Sequence, residues 1–287
     1  AEGVERLFIE TVITTDKGKA RAITLDKHLN IVKLENGKEL ESFQIPEKDD
    51  EKSKIDIQKY SLKDIIEFAD QVDIEKLNII EKGIKLSRNI AEKGKAKEDS
   101  LAASLQKMIK NGAAGDNMIN RAQLMAASAS EARMCGCQKA VMSNSGSGNQ
   151  GVTAFLTILG AAEAEDISQE RLYRSLVVSN LVTMYIKSYL GVLSAMCGAA
   201  VAAGTASSIG IVYMLGGSYD EAYRAASNML GVLTGMICDG AKEGCAYKVA
   251  VSASWAVRSA LLALDGSYIP GNNGILSGDF EEMIVNL

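Results

Sequence analysis

Residues 190–219 form an uncharged run that is rich in Gly, Ala, Ser and Thr. A run of this length raises the question of a membrane-spanning helix, which needs about 20 consecutive apolar residues. Its repeated glycines and small polar residues instead favour helices that pack closely inside a protein. Hydrophobic residues make up 47% of the chain and aromatic residues only 5%. The sequence therefore predicts a core of small and aliphatic side chains.

The length and charge of the chain exclude several classes of protein. At 287 residues it can bury a substantial core, in one large domain or two smaller ones. A formal net charge of −5 argues against a nucleic-acid surface, which normally carries clustered Lys and Arg. The five cysteines are an odd number and no secretory signal opens the sequence, so we expect a reducing, cytoplasmic location.

The first 45 or so residues show the pattern of antiparallel strands. Asn36-Gly37 lies between two runs of strand-forming residues, which is a strong hairpin signal. The pattern begins without an obvious strand partner, so we expect the sheet to be completed by further N-terminal residues or by another chain. The predicted strands are 4–14, 20–25, 30–34 and 39–45.

After a charged connector, the apolar period changes to that of helices, the first of them opened by the N-cap residue Ser61. Further helices are predicted at 74–92, 100–110, 118–133, 151–164, 168–189, 191–203, 207–215, 219–238 and 245–264, and a last one begins near Asp279. The sequence thus predicts an α+β chain. A short antiparallel β segment, residues 1–55, precedes a large, predominantly α-helical domain, residues 56–287.

The stretch from Cys238 to Cys245 carries two thiols separated by Gly240 and Gly244. On an unbroken helix the thiols would lie on one face, about 10.5 Å apart along the axis, which is long for one compact metal centre. The glycines indicate that the chain bends here. Together with Cys197, these cysteines could hold an iron–sulfur cluster, or all three could be buried free thiols that pack as small apolar side chains.

A second informative stretch, residues 142–151, is a polar, glycine-rich loop that runs into a predicted helix. Small residues let a ligand approach the backbone closely, and the helix N-terminus favours an anion. The loop matches neither the phosphate-loop nor the dinucleotide pattern. The alternative is a polar loop that only caps the helix. Its candidate substrate-binding side chains are Asn144, Ser145, Ser147, Asn149 and Gln150.

Four other residues offer less specific signals. Arg133 could bind a carboxylate through two hydrogen bonds or form a surface ion pair. His28 is the only histidine, and it is either a hydrogen-bonded surface residue or a candidate acid–base group. Cys135 and Cys137 are closer together than the usual metal-binding pair, so we interpret them as core or loop thiols.

Taken together, these stretches resemble the L-serine dehydratase α-chain superfamily, and most closely its iron–sulfur L-cysteine desulfidase branch. The resemblance spans nearly the whole chain. It implies that Cys197, Cys238 and Cys245 hold a [4Fe–4S] cluster with one iron left for the substrate. The segments that carry it are 132–134, 143–151, Cys197, 237–242, Cys245, Lys248 and 271–275.

The sequence departs from the family pattern in two places. The family carries His-Thr-Asn where this chain has His28-Leu29-Asn30, and Asn30 is the candidate substrate contact. The family's Leu-Gly-Cys-Thr-Glu-Pro motif, whose cysteine is the proposed base, has no counterpart in the sequence. We therefore expect the N-terminal part of the family to be missing from this chain, and the resemblance assigns no base to its residues.

The reaction implied by the resemblance is iron–sulfur-dependent α,β-elimination of L-cysteine to pyruvate, ammonia and sulfide. One alternative is L-serine deamination by the same chemistry. Another is a non-catalytic amino-acid-binding or scaffold protein with the same fold. The expected partners are a small L-amino acid and a second copy of the chain in a homodimer, with neither nucleic acid nor membrane.

Overall fold

A computed structural model describes residues 8–25, 30–37, 41–43, 55–191 and 193–287. The prediction for His28 falls outside these residues. The chain divides into two compact units, Ala1–Asp56 and Ile57–Leu287. The first unit contains a sheet and the second contains the helices, which confirms the predicted α+β class.

The sheet unit is a four-stranded antiparallel meander in the order β1-β2-β3-β4. β1 and β2 are joined by a tight turn that pairs Thr15 with Gly18. β3 pairs with β4 through Asn36 and Glu41, so the predicted antiparallel pair is present. Asn36 and Gly37 are the last two residues of β3, however, and do not lie between the strands as predicted. The strands are β1 (Phe8–Thr15), β2 (Gly18–Leu25), β3 (Ile31–Gly37) and β4 (Glu41–Phe43).

The helical unit has ten α-helices in its described residues, together with three short helical turns. The α-helices are α1 (Leu62–Gln71), α2 (Asn78–Lys95), α3 (Leu101–Lys110), α4 (Met118–Met134), α5 (Gly148–Ala162), α6 (Gln169–Leu190), α7 (Gly204–Met214), α8 (Tyr219–Leu233), α9 (Gly244–Leu264) and α10 (Phe280–Val285). The short turns are the 3₁₀ segments Ile57–Lys59 and Ile74–Lys76 and the π-helical segment Ala199–Ala203, which runs into α7.

Local capping chemistry fixes where several helices begin. Ser61 accepts a hydrogen bond from the Asp64 amide while the Asp64 carboxylate accepts one from the Ser61 amide, which forms a capping box. Ser218 and Glu221 form the same arrangement at the start of α8. Ser147 caps α5 through the Gln150 amide, so this helix begins inside the polar loop.

Two helices are enclosed by the rest of the unit. All of α7 is buried, and so is α5 from Gly148 to Ala161. Glycines permit this close packing: a Cβ on Gly160 would lie 2.6 Å from the Cα of Ala122 in α4. Within the small-residue run, Ala199–Met214 forms buried, closely packed helix, as predicted. Across the described part of the chain, every helix is too short or too polar to cross a bilayer.

Two predicted helices are wrong around the cysteines. Residues 191–198 are not helical, since α6 ends where Gly191 takes a φ of 75°. The helix predicted at 219–238 ends at Leu233. The chain leaves helical geometry because Met196 pairs with Ile237 in an isolated antiparallel bridge, which satisfies backbone groups across the two segments. No local pattern encodes a pairing between segments so far apart in the sequence.

Candidate functional site

The backbone bridge brings Cys197 and Cys238 to the same place. The Cys197 amide donates to the Met236 carbonyl at 2.8 Å, and the Cys238 amide donates to the Ala195 carbonyl at 2.7 Å. Cys197 is buried and Cys238 is exposed. The two residues therefore lie on adjacent extended segments, one facing the core and one facing the surface.

Electrostatics connect Cys245 to the same neighbourhood. Burial raises the pKa of the Cys197 thiol, the Cys238 charge raises it further, and the Ala200 amide and the Lys248 ammonium act against the rise. The pKa of Lys248 is itself raised, first by Asp239 and also by Cys197 and Cys245. Lys248 thus interacts electrostatically with Cys197 and Cys245, and Cys197 interacts with Cys238.

The segment between Cys238 and Cys245 bends as the glycines predict. Gly240 has a φ of 92°, a conformation that favours glycine, and α9 begins only at Gly244. Cys245 lies in the first turn of α9, and its thiol donates to the Gly240 carbonyl at 3.6 Å.

Asp239 holds this bend in place through two lysines. Lys248 donates to the Asp239 carboxylate at 2.6 Å and to the Ile237 carbonyl at 2.9 Å. Lys242 donates to the other Asp239 oxygen. Hydrogen bonds from Lys242 and then Lys248 lower the pKa of Asp239 well below its usual range. The charged network fixes the peptide that carries Cys238 to the first turns of α9.

The donors agree in number and kind with a thiolate-bound cluster. Cys197, Cys238 and Cys245 are all free thiols. No set of three or more His, Cys, Asp or Glu side chains in the described ranges could hold a metal ion as arranged. A cluster accepts each thiolate on a different iron, so its sulfur ligands lie farther apart than ligands around a single ion.

The polar loop is a tight turn that leads into α5. Asn144 and Ser147 exchange backbone hydrogen bonds of 3.1 and 3.0 Å around Ser145 and Gly146, which both have positive φ. Ser145 has a φ of 47°. A positive φ is uncommon for residues other than glycine, and such strained backbone conformations often occur at functional sites. A Cβ on Gly151 would overlap the Met142 carbonyl, so only glycine fits there.

One side of the loop faces the cysteine segment. The Gln150 side-chain nitrogen donates to the Asn144 carbonyl at 3.3 Å. Its oxygen points at Gly198, where an added Cβ would lie 2.7 Å from that oxygen. Because Gly198 follows Cys197 directly, the structure places the loop beside the buried cysteine. The adjacent Asn149 accepts a hydrogen bond of 3.3 Å from Arg133.

The other side of the loop faces a separate cavity of about 350 Å³. Asn144 donates to the side-chain and backbone oxygens of Asn180, both at 3.0 Å, and Ser145 donates to the Asn144 side chain. Most of the remaining wall is apolar, including Phe68 and Met184. The predicted substrate-binding residues therefore divide between the cysteine side and this cavity.

The remaining predicted residues occupy different surroundings. Arg133 is half-buried and packs against Gly148. Cys135 is exposed, and Lys97 donates to its sulfur at 3.0 Å, while Cys137 is half-buried. Asn30 belongs to the sheet unit, where its side chain donates to the Leu25 carbonyl at 3.1 Å. A role of Arg133 or Asn30 in substrate binding stays a prediction.

Sequence reasoning missed Lys187. This residue is only 5% exposed and lies near the end of α6. Its Cδ lies 3.4 Å from the position that a Cβ on Gly198 would occupy. Its charge could have marked it in the sequence, because Lys187 is the only charged residue between Ser175 and Leu190.

Sequence comparisons place the chain in a family. The profile described as serine dehydratase alpha chain matches residues 9–287. The chain belongs to the serine dehydratase alpha chain family. A UPF0597 protein of Clostridium tetani is 40% identical over 292 residues, covering 100% of this chain and 67% of that relative. One from Caldanaerobacter subterraneus subsp. tengcongensis is 39% identical over 285 residues, covering 99% and 66%.

The chain matches only part of the length of its relatives. A UPF0597 protein of Alkaliphilus oremlandii is 36% identical over 287 residues, which cover 99% of this chain and 67% of the relative. The chain thus spans about two thirds of the length of these relatives. Their names assign no reaction, so the family suggests serine dehydratase-like chemistry in general terms.

Proposed function

We propose that this family member takes part in iron–sulfur-dependent α,β-elimination of L-cysteine, which gives pyruvate, ammonia and sulfide. Cys197, Cys238 and Cys245 are the proposed cluster ligands. The observation that carries the proposal is the bridge between Met196 and Ile237, because it brings the adjacent residues Cys197 and Cys238 to the same place. The oxygen of Gln150 also lies against the residue after Cys197.

The reaction requires two bonds of the substrate to break. A base removes the Cα proton, and the electron pair forms the Cα–Cβ double bond as the sulfur leaves with the electrons of the Cβ–S bond. The aminoacrylate product tautomerises to an imine, which water hydrolyses to pyruvate and ammonia. A bound cluster would supply a Lewis-acidic iron that polarises the substrate. The base is not assigned to a residue of this chain.

The chain's own residues would bind and orient the amino acid. Arg133 and Asn149 form one polar pair at the start of α5, and the Gln150 side chain adds an acceptor beside Gly198. These amides are fixed by buried helix geometry, so they need little reorganisation when the substrate binds. The Ser147 cap holds the start of α5 in position.

L-Serine is the second candidate substrate, and the family match is equally compatible with it. The matching profile describes the serine dehydratase alpha chain. Serine and cysteine differ only in the leaving group, so the same proton removal applies to both. A non-catalytic amino-acid-binding or scaffold protein is the outcome to be expected if neither substrate is converted.

Anaerobic reconstitution tests the cluster ligands. The wild-type chain, supplied with iron and sulfide, is expected to become brown and to bind iron with acid-labile sulfide. Cys238→Ser should lose most of both, whereas Cys135→Ser, a change of another exposed cysteine, should keep them. A colourless wild-type protein, or equal losses in both variants, would reject the ligand assignment.

Product measurements test the reaction. We expect sulfide and pyruvate from L-cysteine to exceed pyruvate from L-serine when the reconstituted protein is supplied with either substrate. More pyruvate from serine would favour deamination. The catalytic proposal is wrong if neither product forms when two proteins are assayed with their clusters bound: this chain and a relative that spans the whole family length.

A further inference from the structure

The cavity on the outer side of the polar loop, here called the α6 cavity, has the dimensions of a small-molecule site. Its volume of about 350 Å³ lies within the range that ligand pockets usually show, roughly 300–1,000 Å³. One stripe of α6 forms a wall, because Val177, Leu181 and Met184 follow one another at helical spacing. Phe68 of α1 and Ile79 at the start of α2 contribute other parts of the wall.

The polar groups of the α6 cavity come from the loop and from one residue of α6. Asn144 donates to the side chain of Asn180 at 3.0 Å, and Ser145 donates to the side chain of Asn144 at 2.8 Å. These hydrogen bonds hold the asparagines in place. Ser143 is exposed, and its hydroxyl makes no hydrogen bond within the described part of the chain. It can therefore both donate to a ligand and accept from one.

The α6 cavity carries no charge. Every residue that lines it within the described ranges is apolar or neutral. A ligand with an ionised group would lose the hydration of its charge here without gaining an opposite charge. The cavity therefore selects against zwitterionic amino acids, which separates it from the proposed substrate site. Its lining fits an uncharged molecule that has an apolar body and one hydrogen-bonding end.

Three large apolar side chains of the α6 cavity remain in contact with solvent. Phe68, Ile79 and Met184 are 51%, 59% and 44% exposed. A ligand that covered them would remove apolar surface from water, which favours binding. Deeper in the cavity, Phe155 is buried and packs so closely on α2 that a Cβ on Gly83 would overlap its ring. The wall thus joins a fixed aromatic ring to exposed apolar groups.

We propose that the α6 cavity binds a small uncharged amphiphilic molecule, such as an aromatic or branched aliphatic alcohol. The apolar body packs against Leu181, Met184 and Phe68, and the hydroxyl group forms a hydrogen bond with Ser143. This assignment is independent of the proposed reaction, because it requires neither a cluster nor turnover.

Hydrogen bonds connect the α6 cavity to the thiol side of the loop. Asn144, which binds Asn180 in the cavity wall, also accepts a bond of 3.3 Å at its carbonyl from the Gln150 side chain. The Gln150 oxygen lies against Gly198, the residue after Cys197. A ligand that contacts Asn144 should therefore change the surroundings of Gln150. We expect the side-chain amide signals of Gln150 to shift in NMR spectra when the cavity is occupied.

Three probes that share one aromatic ring test the chemistry of the α6 cavity. Benzyl alcohol carries an uncharged hydroxyl group, benzoate a negative charge and benzylamine a positive charge. Titrations of the full chain are followed by NMR of the protein and of each probe. Benzyl alcohol is expected to bind saturably with a Kd of about 1 mM or lower. Both charged probes should bind about tenfold more weakly or worse.

Two variants test where benzyl alcohol binds. Leu181→Trp fills the cavity with a larger ring and should weaken binding about tenfold or more. Ser143→Ala removes the hydrogen-bonding hydroxyl of an exposed residue and should weaken it about threefold. Leu262→Trp, the same enlargement of an exposed leucine on α9, is the matched control and should bind like the wild type. Circular dichroism and thermal unfolding show that each variant is folded.

Several outcomes would overturn this assignment. They are no saturable binding of benzyl alcohol by the wild type, equal binding of a charged probe, or unchanged binding by both Leu181→Trp and Ser143→Ala. Analytical ultracentrifugation adds a further test. Loss of benzyl alcohol binding as the chain dimerises would assign the cavity to a second copy instead. Binding as expected in a protein that forms no pyruvate would support the cavity and reject only the reaction.

Discussion

At the scale of single residues, the thiol site depends on side chains that hold the backbone as much as on the thiols themselves. Asp239 and Lys248 tie the Cys238 segment to α9, and Lys248 also binds the Ile237 carbonyl. The resemblance pointed to Lys248, but the sequence did not show what it contacts. Its partner Asp239 lies only nine residues earlier in the sequence. The two side chains can meet only because the segment that carries Asp239 folds back on the first turns of α9.

Lys248→Met is expected to lower the iron content of the reconstituted protein. The substitution removes the hydrogen bonds to Asp239 and Ile237, so the peptide that carries Cys238 loses its attachment to α9. Lys242→Met is the matched control, because Lys242 binds Asp239 but no backbone carbonyl of this segment. Iron and acid-labile sulfide per chain measure the effect. A larger loss in Lys242→Met than in Lys248→Met would contradict this account.

At the scale of elements, glycines set how closely helices approach. Gly94 near the end of α2 lies against the backbone of α4, where a Cβ would overlap the carbonyl oxygen of Ser128. Backbone atoms cannot move away as a flexible side chain can. A core rich in small side chains explains why helices can approach this closely. It does not determine which glycine contacts which helix.

Gly94→Ala is expected to destabilise the protein by about 1–3 kcal/mol, because α2 and α4 must separate to admit the methyl group. Gly278→Ala is the control, since a Cβ there would meet nothing within 4 Å. Urea unfolding followed by circular dichroism measures the difference in free energy of unfolding. Equal stabilities of Gly94→Ala and the wild type would show that the two helices are not in such close contact.

At the scale of the whole molecule, the helical unit contains its own core. The main cluster of buried apolar residues in the described chain draws its members from Leu62 to Ile284. The sheet unit differs, because every residue of β1 is exposed. We therefore expect the two units to differ in stability when each is isolated, because a small sheet without a buried face is marginally stable in water.

Residues 57–287 expressed alone are therefore expected to keep helical circular dichroism and a cooperative thermal transition. Residues 1–56 expressed alone should show no cooperative transition. Differential scanning calorimetry of both fragments and of the full chain measures this. Gradual, non-cooperative melting of the 57–287 fragment would mean that its core requires the sheet unit.

Alkaline pH should weaken the hydrogen bond that links α7 to α1. The Tyr213 hydroxyl donates to the Asp70 carboxylate at 2.5 Å, and burial, followed by this hydrogen bond, raises the pKa of Tyr213 to about 12. Because the folded pKa lies above the ordinary value of 10.0, the stabilisation is fully present below pH 10 and is lost as the pH rises toward 12.

Tyr213→Phe tests this pH dependence. We expect the wild type to be more stable than the variant at neutral pH, with the difference shrinking between about pH 10 and pH 12 as the wild-type phenol ionises. Urea unfolding at several pH values provides the free energies. Tyr247→Phe, a change of an exposed tyrosine, is the control and should follow the wild-type profile. A constant difference across the range would contradict the assignment.

What the sequence alone determined is local. Helix starts at Ser61 and Ser218, the antiparallel pairing of β3 with β4 and the bend at Gly240 follow from chemistry within a few residues. The α+β class follows from the change in apolar period along the chain. The structure contains these features because neighbouring residues encode them directly.

The tertiary structure alone decided the site. Only the fold pairs Met196 with Ile237, delays the start of one predicted helix, ends another early, and brings Gln150 and Lys187 close to the same glycine. The resemblance named the cysteines, but their neighbours depend on contacts between segments far apart in the chain. Periodicity and capping carry no information about such contacts, because their stability comes from burying one segment against another.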